Sequence, residues 1–314
     1  MLADGPWEHT TVHSSSKMLL GTAGLVAAGA AGLTYARWEA QHYTLRRATV
    51  SALPVGQAPL TILHLSDLHL VPGQVGKQSW VRALRELQPD AVIATGDFLS
   101  HQDAVPHVLN TLEPLFDLPG AFVLGSNDYY EPRMINPVKY FAGPSQLEPS
   151  RAMLPWSDLV DGLVDGGWSH LNNTRGTLVI AGRSVDLRGV DDPHISRDRY
   201  ADIAGAFDPS ADLRLGVTHA PYLRVLDGMA ADGADLVLAG HTHGGQLRIP
   251  GVGALVTNCD IDRARSRGLS THRALGSRHT AALHVSAGLG TSPFAPYRFA
   301  CPPEATLLTL VART

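Results

Sequence analysis

Residues 237–250, VLAGHTHGGQLRIP, carry an apolar run into Gly240, then His241-Thr242-His243, then two more glycines. Side chains two positions apart do not share a helix face. The histidine pair therefore belongs on a tight loop at a strand end, where glycine lets the backbone approach a bound ion closely. The same form recurs along the chain. LHLSDLHL carries Asp67 and His69, VIATGDF carries Asp97, VLGSNDYY carries Asn127, and LGVTHAPY carries His219. In open α/β sheets, ligands gather beyond the carboxyl ends of the strands. These strand ends are expected to converge although they lie far apart in sequence. Taken singly, an Asp after a strand is a turn former or helix cap, and a lone His is a satisfied polar residue. Asp67, His69, Asp97, His219, His241 and His243 at successive strand ends make separate explanations of that kind improbable.

The order of elements points to an α/β fold. LTILHLS (60–66), DAVIATGD (90–97) and AFVLGS (121–126) read as buried strands. Between them, SWVRALRELQ (79–88) has helical spacing and stops before Pro89, and AVPHVLNTLEPLF (104–116) reads as a helix kinked at its interior proline. Strands alternating with helices imply parallel pairing through crossover connections. Residues 129–155 read as a long loop near the site. Beyond them the pattern is mixed. WSDLVDGLV is helical, TLVIAG and SVDLRGV form a hairpin around Gly182-Arg183, and LRLGVTH (213–219) and DLVLAGH (235–241) are strands ending in histidine. QLRIP, TAALHVSAG and EATLLTLVA are further strands. Five arginines (263, 265, 267, 273, 278) in residues 260–279 read as an exposed hairpin, or as a phosphate or headgroup contact.

A chain of 314 residues, 44% hydrophobic and 17% charged, suits one large domain, though two would fit. A net charge of −4 argues against nucleic-acid binding by bulk electrostatics. Cys259 and Cys301 make no disulfide framework. Residues 1–17 read as a tail. The uncharged stretch MLLGTAGLVAAGAAGLTYA (18–36), between Lys17 and Arg37, is just long enough to cross a bilayer and is expected to be a transmembrane anchor. A signal peptide cut near Ala28-Gly29-Ala30, which would give an exported protein, is the rival reading, and a buried Gly/Ala-rich helix the third. Arg37, Arg46 and Arg47 against Lys17 favour a cytoplasmic catalytic domain. Residues 37–59 read as a linker and 60–314 as the domain. Every candidate ligand follows residue 60, so removing residues 1–40 is expected to leave a soluble, active domain.

Four histidines and two carboxylates suit manganese, iron or zinc and are too rich in nitrogen for a magnesium or calcium site. They are too many for one ion. Two ions about 3.5–4 Å apart, bridged by a carboxylate, would use them all, bind phosphate oxygens and activate a water.

These residues resemble the calcineurin-like metallophosphoesterases, whose pattern is Asp-x-His, Gly-Asp, Gly-Asn-His-Asp/Glu, a later His, and Gly-His-x-His. Here it reads DLH (67–69), GD (96–97), GSND (125–128), His219 and GHTH (240–243), over about residues 60–311. The GGQ after GHTH and the C-terminal GLGTSPFAPYRFACPPEATLLTL resemble the bacterial membrane-associated or exported branch. The resemblance implies two mixed β-sheets flanked by helices, a four-layer αββα sandwich. It implies that Asp67, His69 and His243 hold a first metal, that Asp97 bridges, and that His219 and His241 hold a second. Where the family has Asn-His, this chain has Ser126-Asn127. A gap-free alignment puts Ser126 at the ligand position, whereas a one-residue shift keeps Asn127 there. The shift is preferred because an amide oxygen is the better neutral ligand. In both cases no histidine stands beside the leaving group. Asp97, Asn127 and His219 are thus the expected catalytic residues. The implied activity is hydrolysis of a phosphate ester, a diester before a monoester, and possible substrates include lipid- or nucleotide-linked ones. A metal-binding scaffold or phospho-ligand binding protein with weakened catalysis is the alternative. Asp191, Asp192 and His194 in GVDDPHISRD are expected either to line the substrate cleft or to form a solvated Asp-Pro turn.

Overall fold

The computed structural model describes residues 27–134 and 150–313. A helix, α1, runs from residue 27 to 39. The first sheet is built from β1 (Thr44–Leu53), β2 (Leu60–Leu65), β3 (Ala91–Ala94), β4 (Gly120–Phe122) and β5 (Trp168–His170). The second takes β6 (Thr174–Ile180), β7 (Arg183–Gly189), β8 (Leu213–Val217) and β9 (Leu236–Ala239). A small hairpin, β10 (Arg248–Ile249) with β11 (Gly253–Ala254), follows. Then β12 (Gly268–His272) and β13 (Ala281–Val285) complete the second sheet, and β14 (Glu304–Ala312) returns to the first.

The first sheet has the order β1-β14-β2-β3-β4-β5 and the second β12-β13-β9-β8-β7-β6. As expected, β2, β3 and β4 are parallel. In the second sheet β7, β8, β9 and β13 are parallel, with β6 and β12 as antiparallel edges. The β6–β7 turn is centred on Ala181-Gly182, one residue earlier than expected, because both adopt the positive φ (49° and 77°) of a tight hairpin turn.

The apolar pattern of single strands explains the layering. All four residues of β3 are buried. Val92 and Ala94 face Val81 of helix α2 (Val75–Ala83), Val108 of α3 (Val105–Leu112) and Leu159 of α5 (Trp156–Asp165). Ala91 and Ile93 face Leu215, Val217 and Leu236 of the other sheet. The far side of that sheet packs Val237 and Leu283 on Met229 of α6 (Leu223–Ala231). A strand buried on both faces must be apolar throughout, and two such sheets flanked by helices give the expected four layers. The proline kink also has a structural basis. Pro106 sits in the first turn of α3, and Pro114 opens a separate 3-10 turn, Glu113–Leu115. The arginine-rich segment is an edge, with a 3-10 turn at Arg263–Arg265 capped by Asp262 and followed by β12.

Two expectations about the N-terminal region are corrected. The segment read as a linker contains β1, which pairs with β14 along its length and buries Val50, Ala52 and Leu53 in the inter-sheet core. The expected membrane anchor is also overturned. Residues 18–26 lie outside the described residues, and among the described residues no helix is long and apolar enough to cross a membrane. The membrane partner and the cytoplasmic-face orientation rested on that anchor and fall with it. Only the C-terminal end of helix α1 is docked on the domain. Ala36 and Glu39 are buried, the Ala36 carbonyl accepts Arg298 N at 2.9 Å, and the Glu39 carboxylate accepts Ala300 N at 3.1 Å and Cys301 N at 2.5 Å.

Removing residues 1–40 therefore takes away part of the packed domain. Glu39→Ala alone is expected to leave two N–H groups without their acceptor. That should cost about 2 kcal/mol, a fall of about 5 °C in the melting midpoint by calorimetry. An unchanged midpoint would mean that the carboxylate contributes nothing to holding residues 298–303, the C-terminal strap that leads into β14.

Candidate metal centre

The candidate residues sit just past the ends of β2, β3, β8 and β9 and at the short helix α4 (Ser126–Tyr129) after β4. The backbone there is contorted. Asp67, His69, Asp97, His241 and His243 all have φ between 43° and 67°, a left-handed region rarely used by residues other than glycine. Such positions cost of order 1–3 kcal/mol each and persist where the surroundings enforce them. Two glycines show how closely the loops meet. A Cβ at Gly240 would overlap the Ser66 hydroxyl and the Asp67 carboxylate, and one at Gly125 would overlap Asp97 and His219.

The ligand atoms fall into two groups, Asp67 with His69 and His243, and Asp67 with Asp97 and His219, each within 4.8 Å of one another. Asp97 Oδ2 lies between the two halves, 3.4 Å from His69 Nε2 and 3.5 Å from His219 Nε2. His69 Nε2 is 3.3 Å from His243 Nε2, and His241 Nδ1 is 3.3 Å from His219 Nε2. The Asn127 carboxamide is also present, with Nδ2 donating to Asp97 Oδ2 at 2.8 Å and its backbone N–H to Asp97 Oδ1 at 2.8 Å. Ser126 is buried, and its carbonyl accepts Tyr130 N.

Outer hydrogen bonds fix which histidine nitrogens face inward. His219 Nδ1 donates to Thr95 O at 2.6 Å, His241 Nε2 to Asn258 O at 3.2 Å, and His243 Nδ1 to Gly290 O at 3.1 Å. A carbonyl only accepts, so in the neutral imidazoles each inner nitrogen carries a lone pair. Arg298 Nη2 also lies 3.2 Å from His243 Nδ1, but it reaches the carbonyls of Ala287 and Gly290 at 2.7 Å. The facing pair His241 Nδ1 and His219 Nε2 would thus repel unless a cation or proton lay between them. Charge makes the same demand. Burial alone would lower the His219 pKa, yet the carboxylates of Asp97, Asp192 and Asp67 raise it well above the usual histidine value. Burial raises Asp67 to about 6, with His219 opposing and Asp97 adding. The donor set fits divalent cations.

Several supporting residues are given no role by the sequence reading. Asp128 is fully buried and accepts Asp97 N (2.8 Å), Phe98 N (2.7 Å), Leu99 N (3.0 Å) and Gly125 N (2.9 Å), tying the Asp97 loop to the Asn127 turn. A buried chain runs from His284 through His64, Thr95 and Ser66 to Asp67 Oδ2, with steps of 2.9, 3.0, 2.7 and 2.5 Å. Arg298 holds the Ala287–Gly290 loop and comes from the C-terminal strap.

The expected cleft residues divide. Asp192 is fully buried, caps the turn Pro193–Ile195 through His194 N at 2.8 Å, and leaves Oδ2 without a partner among the described residues. Asp191 is held by Tyr129 and Arg197. His194 stands at the centre, its ring 4.4 Å from that of His241 and its Nδ1 3.1 Å from Tyr222 Oη.

With this geometry in place, comparison with known proteins decides the family. Residues 60–245 match the model of the calcineurin-like phosphoesterases. The chain belongs to that family. The YpbG protein of Bacillus subtilis (strain 168) is 26% identical over 299 residues, covering 94% of this chain and 98% of its own. Phosphodiesterase YaeI of Escherichia coli (strain K12) is 26% identical over 305 residues, covering 95% and 99%. Among solved structures, TT1561 of Thermus thermophilus aligns over 74% of this phosphoesterase and 91% of its own chain, at 12% identity and a TM-score of 0.41.

Proposed function

We propose that this phosphoesterase holds two divalent ions and binds a phosphate ester across them, hydrolysing it with weakened help to the leaving group. The observation that carries this reading is the position of Asp97 Oδ2, 3.4 Å from a histidine of one half and 3.5 Å from a histidine of the other. Asp67, His69 and His243 would hold the first ion, and His219, His241 and Asn127 the second, with Asp97 shared. A half-turn of the Asn127 carboxamide exchanges its nitrogen and oxygen, and the oxygen is then the ligand. Ions bound there would supply Lewis acidity toward phosphoryl oxygens and lower the pKa of water. The chain's own contribution is to fix the imidazoles through Thr95, Asn258 and Gly290, to keep Asp97 ionised beside His219, and to hold the Asp97 loop on Asp128. A diester is favoured over a monoester, in line with the name of the Escherichia coli relative.

A second reading is favoured by the GSND turn, which carries no histidine near the leaving group and whose Asn127 donates its backbone N–H and its Nδ2 to Asp97. Under this reading the centre binds a phospho-ligand and turns it over slowly or not at all. Leaving-group dependence separates the two. General acid help contributes about 10²–10⁴-fold and matters least for good leaving groups. The manganese-loaded enzyme is therefore expected to hydrolyse aryl phosphate esters and to be nearly inactive on simple alkyl esters. Binding of both classes with no turnover of either would favour the binding protein. Asn127→His is expected to lower the metal content. Two retained ions with faster alkyl-ester hydrolysis would instead place Ser126 at the ligand position.

A further inference from the structure

Arg151 enters the centre beside the turn that lacks the family's histidine. Its Nε donates to Glu131 O at 2.9 Å, and Nη2 lies 3.3 Å from Tyr130 O. The guanidinium carbon is 5.9 Å from the centroid of the Tyr130 ring. Those contacts aim the fork at the site, where Nη2 is 3.5 Å from Asn127 Oδ1; the half-turn of that carboxamide described above puts its NH2 there instead, so the contact gives the position of the guanidinium and not a bond it keeps in the metal-loaded centre. Asn127 is in turn hydrogen-bonded to Asp97 Oδ2, so the guanidinium stands one side chain away from the shared carboxylate.

We propose that Arg151 is a substrate-binding residue, donating to a phosphoryl oxygen on the Asn127 side of the centre. This inference rests on the phosphate-ester reading above and deepens it. A guanidinium is permanently charged, and its planar fork matches phosphate oxygens. It is not a proton donor at ordinary pH, so it stabilises charge on the phosphoryl group without acting as the missing acid. Phosphate affinity is thus preserved while poor leaving groups still leave slowly.

The test uses the full chain loaded with manganese and inorganic phosphate as the probe. Phosphate binding is measured by titration calorimetry in wild type, Arg151→Ala and Arg151→Lys, alongside metal content and melting midpoint. Wild type is expected to bind phosphate. Arg151→Ala should bind it about 10-fold more weakly or worse, the range for one lost charge-assisted hydrogen bond, with metal content and midpoint unchanged. Arg151→Lys, which keeps the charge and loses the fork, should fall between them. Equal phosphate affinity in wild type and Arg151→Ala overturns the role of Arg151 and leaves the phosphate-ester reading standing. Loss of manganese from Arg151→Ala also overturns it, because the arginine would then be holding Asn127 in place. A wild-type protein that binds manganese and no phosphate overturns the phosphate-ester reading itself.

Discussion

Asp97→Asn is expected to lower turnover by at least about 10³-fold while the fold stays intact. Loss of one neutral donor from an active site costs roughly 10²–10³, and this substitution removes a full charge from the group placed between the two halves of the centre. The side chain keeps its shape, and the four backbone bonds made by Asp128 are untouched. Circular dichroism and the melting midpoint of the metal-free protein should therefore match wild type. Metal content should fall, because an amide cannot neutralise two cations. Near-normal turnover in Asp97→Asn would mean that Asp67, common to both groups of ligand atoms, is the residue that joins them.

Asp128→Ala is expected to have the largest effect on stability. Four backbone N–H groups in buried loops would lose a common acceptor, and each unsatisfied buried donor costs about 1–3 kcal/mol. Some relaxation and entry of water will offset part of this. A net loss of at least about 3 kcal/mol is expected, lowering the midpoint by about 5–10 °C. The loops that carry Asp97 and Asn127 should loosen together, so metal affinity should fall as well. A midpoint within about 1 °C of wild type, for a side chain this buried, would show that the hydrogen-bonded loop contributes little to the native state.

The convergence of the candidate residues was legible in the sequence because strand ends are marked locally. Apolar runs that stop on Asp67, Asp97, His219 and His241 predict both the strand and the direction of the next side chains. The parallel order β2-β3-β4 followed from alternation of strands and helices. What was hidden depends on contacts across the fold. Nothing near Arg298, Arg151 or His284 in the sequence shows that each comes to lie beside residues from other segments. Asp128 is within a quoted motif, yet its four backbone partners come from Gly125 and from a loop about thirty residues upstream. The N-terminal errors have a related origin. An uncharged Gly/Ala-rich run fits a bilayer-spanning helix on composition alone, but Glu39, three residues past its end, is buried against Ala300 and Cys301. Residues 44–53 lack strict alternation because β1 is a sheet edge with only its last part in the core.

The most direct test of this account is the metal stoichiometry of the purified full chain, loaded with manganese, freed of excess ion and measured by plasma mass spectrometry against protein concentration. Two ions per chain are predicted for wild type, and fewer for Asp97→Asn. One ion or none in wild type would contradict a centre shared between the two halves.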